Sequence, residues 1–179
     1  MFCNGAKGGN VIVTLIVTFS AIVLLTGADQ LIKLWVVENL KGAASRDFLK
    51  IGKLDIMHLT YLENDGAVFG SFSGMRWILV GVTAALMAFC VYYMIKHRRE
   101  KMLVVCLTLI ISGGLGNIID RLFRGGIVVD YLDLQLFNFA IFNFADCCVT
   151  VGAALLLIYV IFFDKNGKKT AEEKVSGNE

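Results

Sequence analysis

The sequence predicts an α-helical integral membrane protein, a four-transmembrane-helix bundle with a small extracytoplasmic β-structure in its first external loop. Three observations carry that prediction. Of the 179 residues, 57% are hydrophobic and only 18% charged, with a mean hydropathy of +0.71, a balance foreign to soluble domains. Four apolar runs approach or exceed the roughly 20 residues that cross a bilayer core as a helix. The basic residues outside those runs gather where an even number of crossings places them on one side.

The first run, Val11 to Ala28, follows Lys7. Its charged start and the small Gly27 and Ala28 also match a signal peptide, but the run exceeds a signal core and helical character continues through Trp35 and Val36. Asp29 and Lys33 lie four apart in the order that favours a helical pair. A structural ion pair and a substrate-positioning pair are both open there. From Val37 to Arg76 charges of both signs appear and balance, which suits an external loop. Leu54, Ile56, Leu59 and Tyr61 point to a strand or two with one slip in register, and Asn64, Asp65 and Gly66 to a turn. Asn64 reads first as a turn residue.

The second run, Trp77 to Ile95, ends at the basic cluster Lys96 to Lys101, which faces the cytoplasm by the positive-inside rule. The third, Met102 to Ile119, meets Asn117, Asp120 and Arg121 on one helical face, before Gly125 and Gly126 end the helix. Asp130 falls in the loop beyond. The fourth begins near Phe142 or Asn143, with Asp146 in its first turn, where Asn143 as a cap and the helix dipole explain an acid structurally. Gly152, Ala153 and Ala154 allow close packing in the bundle. The expected spans are 11–34, 77–95, 102–122 and 143–163 in a single membrane domain, with external loops 37–76 and 123–142 and a disordered cytoplasmic tail over 165–179. With no proline in the chain, none of these helices is kinked by one.

Several classes drop out. A net charge of +2 without a basic stripe interleaved with aromatics argues against nucleic acid as a partner. His58 sits alone among apolar neighbours and His97 is the only other histidine, so no zinc-protease spacing exists and no metal is expected. Five cysteines give no disulfide framework. Cys90 and Cys106 lie in apolar runs, Cys147 and Cys148 are adjacent without CxxC spacing and read as packing residues, and Cys3 receives no role. Ser71 and Ser73 lack a GxSxG setting and read as turn residues.

This topology puts Asp29, Asp120, Asp130 and Asp146, from four separate segments, at the outer boundary. One polar site there follows. A proton relay in a transporter is the competing class, but it needs ionisable groups nearer the middle of a span. Two carboxylates held close together cleave a peptide bond without a metal, one ionised to deprotonate water and one protonated to polarise the carbonyl. The expectation is Asp146 as the base and Asp130 as the acid that keeps the proton. Spacing alone leaves Asp120 competing with Asp130.

Five ordered motifs then resemble the lipoprotein signal peptidase (signal peptidase II) family: DQLIK at Asp29 to Lys33, NDGAVFG at Asn64 to Gly70, GGLGNIIDR at Gly113 to Arg121, VVD at Val128 to Asp130 and FNFAD at Phe142 to Asp146. The resemblance implies a cofactor-independent aspartyl endopeptidase of the bacterial inner membrane, with both termini cytoplasmic and the site extracytoplasmic. Its substrates would be prolipoproteins, cut before a diacylglyceryl-modified cysteine. It implies Asp130 and Asp146 as the catalytic pair. Asn64, Gly66, Asn117, Asp120, Arg121 and Asn143 would bind substrate or support the dyad, and Asp29 and Lys33 would be structural. Membrane lipids would be partners, globomycin-type cyclic peptides inhibitors, and the first loop a small sheet with a short interfacial helix. Val68 in place of Ala, Ala140 in place of Pro, and a slightly short stretch between the two aspartates depart from the family pattern and bear on pocket shape.

Overall fold

A computed structural model describes residues 11–66 and 74–162. Cys3, Val68, Ser71, Ser73 and the 165–179 tail lie outside the described residues. Four helices are long and apolar enough to cross a membrane: α1 (Val11–Leu40), α2 (Arg76–Lys96), α3 (Lys101–Phe123) and α4 (Phe144–Phe162). The fold is inside-out relative to a soluble bundle. Phe19 and Leu24 on α1, Trp77 and Phe89 on α2 and Leu157 and Phe162 on α4 are all exposed, which lipid tolerates and water does not.

Helix α3 is the buried centre, and glycine lets its neighbours reach it. A Cβ on Gly113 would lie 2.2 Å from the Ala145 carbonyl oxygen of α4, and one on Gly114 would lie 2.9 Å from Met87 Sδ of α2. Gly152 of α4 returns the contact, 2.8 Å from the Cys106 carbonyl oxygen by the same construction. Ala153 and Ala154, expected to share that packing, are exposed instead. They fall on the outward arc of α4, so the close approach rests on Gly152. Away from the site, the Tyr159 hydroxyl donates to Glu100 and ties α4 to the start of α3.

Past α3, the Arg124 N–H donates to the Asp120 carbonyl at 2.7 Å, and Gly125 and Gly126 then take φ of 72° and 102°. That left-handed turn reverses the chain into a strand. Strands β1 (Arg46–Ile51), β2 (Leu54–Asn64) and β3 (Val128–Leu134) form one antiparallel sheet in that order. Asp130 therefore lies on a strand rather than in an irregular loop, because Val128, Val129 and Asp130 pair with Asn64, Glu63 and Leu62. The sheet thus draws its third strand from the second loop. Against β3 the register slips between Leu59 and Leu62, and against β1 it slips on either side of Leu49.

The sheet rests on the end of α1, where Val36, Leu40, Val129 and Tyr131 form a buried apolar cluster. No separate short helix appears among the described residues of the first loop; α1 itself continues to Leu40. His58 is not alone. Pairing of β1 with β2 sets Asp47 opposite it, 3.3 Å from its Nε2, with Asp55 at 3.7 Å. The ligand atoms of these three groups come within 4.8 Å of one another, and Lys50 already bridges the two carboxylates.

Candidate active site

Two polar clusters lie side by side within this frame. The first is charged and fully buried. Lys33 Nζ lies 2.9 Å from Asp29 Oδ2 and 2.8 Å from Asp120 Oδ2, with all three side chains at 1% exposure or less. Arg124 Nε adds a second cation 3.1 Å from Asp120 Oδ1, so two acids face two bases. Uncompensated charge at this depth would cost several kcal/mol, roughly 3–5 for breaking one buried pair. The other lone pairs are also met. Gln30 Nε2 donates to Asp29, Asp120 and the Gly116 carbonyl, the Ala145 N–H donates to Asp29 at 3.0 Å, and the Val129 N–H donates to Asp120 at 3.3 Å. Gly116 makes room for this, since a Cβ there would sit 2.5 Å from Asp29 Oδ2.

The second cluster holds Asp130 and Asp146. Asp130 Oδ1 accepts from Asn143 Nδ2 at 2.6 Å and its Oδ2 from Asn64 Nδ2 at 2.8 Å. Asp146 Oδ1 accepts from Asn117 Nδ2 at 2.8 Å and its Oδ2 from the Asn143 N–H at 3.1 Å. The Asp146 N–H donates back to Asn143 Oδ1 at 3.0 Å, which completes a reciprocal cap on α4. Every carboxylate oxygen thus has one amide donor. Burial pushes the Asp130 carboxyl up to about 6; the charge of Asp146 adds to this, and the donors Asn64 and Asn143 and the charge of Lys33 oppose it. A carboxyl raised in this way can serve as the acid half of an acid–base pair.

Asn64 also keeps the turn role read from the sequence, its Oδ1 accepting the Gly66 N–H at 3.0 Å. The Gly66 carbonyl in turn accepts from Arg121 Nη2 at 2.8 Å, which pins this turn to α3. The Nε of Arg121 is buried and has no partner among the described residues. Both aspartates and Arg121 line a cavity of about 560 Å³ whose remaining walls are mostly apolar: Val128, Phe139, Ile141 and Phe142 on one side, Val149 and Val151 on α4. A polar floor beneath apolar walls suits a ligand that joins a polar group to apolar surface.

All ten site residues expected from the sequence fall in these two clusters. Asn117 joins them, accepting from Lys33 on one side and donating to Asp146 on the other. Asp29, Lys33 and Asp120 belong to the charged cluster, so Asp120 is the partner of Lys33 and Arg124 rather than a member of the cavity lining. Sequence reasoning gave no role to Gln30, Gly116 or Arg124. Gln30 follows Asp29 directly and Arg124 is four residues beyond Asp120, so helical spacing was the available signal. Tyr131, whose hydroxyl accepts the Phe144 N–H at 3.2 Å, carried none. Ala140, singled out as a departure, is part of the cavity wall.

A family model described as Signal peptidase (SPase) II matches residues 21–162. Among curated relatives, proteins named lipoprotein signal peptidase from Halothermothrix orenii and Clostridioides difficile are 42% and 40% identical, over 139 and 147 residues. Those alignments cover 78% and 82% of this chain, and 91% and 96% of the relatives. A bacterial membrane enzyme solved by the in meso method at 1.9 Å resolution superposes with a TM-score of 0.71 at 30% identity, covering 83% of this chain and 94% of that one. A second, solved in the same way at 2.3 Å resolution, gives a TM-score of 0.72 at 27% identity, covering 84% and 90%.

Proposed function

The chain belongs to the signal peptidase II family of bacterial membrane peptidases, and from that premise we propose that Asp130 and Asp146 are the aspartyl dyad that cleaves the signal peptide from prolipoproteins. The observation that carries this reading is Asn143. Its side chain bonds Asp130 and its main chain bonds Asp146, at the floor of an apolar cavity. Asp120, the competing acid, has its charge matched by Lys33 and Arg124.

In this mechanism ionised Asp146 takes a proton from a water held between the carboxyls, while protonated Asp130 donates a hydrogen bond to the scissile carbonyl. Water adds to the carbonyl carbon, and the proton on Asp146 passes to the leaving nitrogen as the tetrahedral intermediate collapses. The pair shares one proton, so its two apparent pKa values belong to the dyad. Asn64, Asn117 and Asn143 hold the carboxylates in place, and the unpartnered Nε of Arg121 is available to a substrate carbonyl. No cofactor takes part. The family carries the finer reading: cleavage N-terminal to a diacylglyceryl-modified cysteine, inhibition by globomycin-type cyclic peptides, and bilayer lipid around the apolar walls. In this topology the spans are 11–34, 77–95, 102–122 and 143–163, both termini are cytoplasmic, and the dyad lies at the outer face.

The test is cleavage of a diacylglyceryl-modified prolipoprotein by purified wild type, Asp130→Asn, Asp146→Asn and Asp120→Asn in detergent, with unmodified precursor as control. The expected result is cleavage of lipidated substrate by wild type, loss in both dyad variants, and no effect of chelator. If Asp130→Asn still cut while Asp120→Asn did not, the dyad would be Asp120 with Asp146.

A further inference from the structure

The dyad has an anchor that does not touch it. Lys33 Nζ donates to Asn117 Oδ1 at 3.1 Å, and Asn143 Nδ2 donates to the same oxygen at 3.2 Å. Two donors on Oδ1 decide which way the Asn117 amide faces. In the opposite orientation its NH₂ would meet an ammonium and another NH₂, donor against donor. With Oδ1 fixed, Nδ2 has to point at Asp146 Oδ1, where it lies at 2.8 Å. Asn143 is fixed in the same way. Its Oδ1 is taken by the Asp146 N–H, so its Nδ2 faces both Asn117 Oδ1 and Asp130 Oδ1.

We propose that Lys33 is a positioning residue for the dyad: its ammonium sets the orientation of the Asn117 amide, and through Asn117 and Asn143 it holds both carboxylates in hydrogen-bonding register. This rests on Asp130 and Asp146 being the reacting pair, and it goes beyond a structural ion pair with Asp29. Lys33 acts at a second level as well. Its charge is felt at Asp130, where it favours the ionised form. The groups facing Lys33 are Asp29 from α1 and Asp120 from α3, with Arg124 on the far side of Asp120. Those facing the dyad are Arg121 from α3 and each aspartate toward the other. Without Lys33, Asn117 keeps one weak restraint on its carbonyl, and a flipped amide would set an oxygen against Asp146 in place of a donor.

Lys33→Met alone strands two buried acids and confuses folding with catalysis. The informative variant is Lys33→Met with Asp29→Asn, which removes one charge of each sign and leaves the Asp120–Arg124 pair intact. It would be compared with wild type and Asp130→Asn in detergent on lipidated prolipoprotein, reading Tm, kcat, KM and the pH profile. The expected result is a Tm near wild type and KM within about 2-fold. Turnover falls about 10- to 100-fold, at or below the lower end of the 10²–10⁴ that positioned acid–base groups contribute, and the pH profile moves to the alkaline side because the Lys33 charge that favours ionised Asp130 is gone. Lys33→Gln in the same Asp29→Asn background keeps an amide donor without the charge, so kcat recovers in part while the profile stays displaced. Wild-type kcat and pH profile in the Lys33→Met double variant would overturn the positioning role and leave the dyad standing. Unimpaired cleavage by Asp130→Asn would overturn the dyad reading, and this one with it.

Discussion

Asn143 Nδ2 lies 2.6 Å from Asp130 Oδ1, the shortest of the four amide contacts to the two site carboxylates. The same residue caps α4 through Asp146. One side chain therefore sets strand β3 against the first turn of α4, and with it the relation of one acid to the other.

Asn143→Ala separates these tasks from bulk. Losing a helix cap of this kind costs about 0.5–2 kcal/mol, a modest fall in Tm. The loss in kcat should be far larger, about 10²-fold or more, because the donor to Asp130, the donor that orients Asn117 and the acceptor for the Asp146 N–H go together, although the main-chain bond to the Asp146 carboxylate stays. Thermal melts beside cleavage kinetics check this; an activity loss no greater than the Tm loss explains would count against it.

The raised Asp130 carboxyl makes a pH prediction whose sign is fixed. Its ordinary value is 3.8 and its folded value about 6, so between those limits the folded protein holds a proton that the unfolded chain has released. Stability from this group is present at low pH and is lost as pH rises through about 6. At roughly 1.4 kcal/mol per pH unit the loss amounts to ~3 kcal/mol. Asp130→Asn abolishes that titration, so as pH rises from below the ordinary value of 3.8 to above about 6 its Tm should fall less than that of wild type. Parallel curves for the two proteins would show that Asp130 is not the buried acid described.

The helices and the crowding of acids at one end were legible because both follow from local rules: apolar run length, and the sign of charge between runs. Asp29 with Lys33, and Asn143 with Asp146, were legible because helical spacing pairs them. What escaped depends on long-range contact. Asp130 reads as a loop residue until β2 supplies a partner strand, since Val128 to Asp130 is too short to declare itself. The Lys33–Asp120 bond spans about half of the chain, and no spacing rule connects α1 to α3. His58 likewise looked isolated because its partner Asp47 comes from the neighbouring strand. The choice of Asp130 over Asp120 rests at the level of sequence on the family resemblance alone; that Asp120 already has cations beside it, which supports the choice, is not displayed in the sequence.

Glycines in these helices divide by contact, and substitution should follow that division. At Gly81 nothing lies within 4 Å of an added Cβ, so Gly81→Ala is expected to be neutral or to stabilise by up to about 1 kcal/mol through helix propensity. Gly113→Ala drives a methyl into the α4 backbone, with 2.2 Å to the Ala145 oxygen. The helices have to separate, at a cost of about 1–3 kcal/mol. Ala145 precedes Asp146, so kcat should fall as well. Melting and activity of the two variants in one detergent decide the matter, and equal behaviour would mean that α3 and α4 are not in this contact.

Asp120→Asn and Asp130→Asn should fail in different ways. Asp120 sits between Lys33 and Arg124 at zero exposure, so removing its charge unbalances a buried network at roughly 3–5 kcal/mol. It touches neither dyad carboxylate, reaching them through Lys33 and Asn117 and through the Val129 N–H that precedes Asp130, which leaves the folded fraction active. Asp130→Asn keeps the shape of the side chain but sets one amide donor against another, at a cost of about 1–3 kcal/mol, and it removes the group proposed to donate to the carbonyl. Titrating each variant with a lipid-like stabiliser that restores Tm separates the two. Activity should return toward wild type for Asp120→Asn and stay absent for Asp130→Asn. Rescue of both would mean that Asp130 is architectural, and rescue of Asp130→Asn alone would exchange the roles assigned to the two acids.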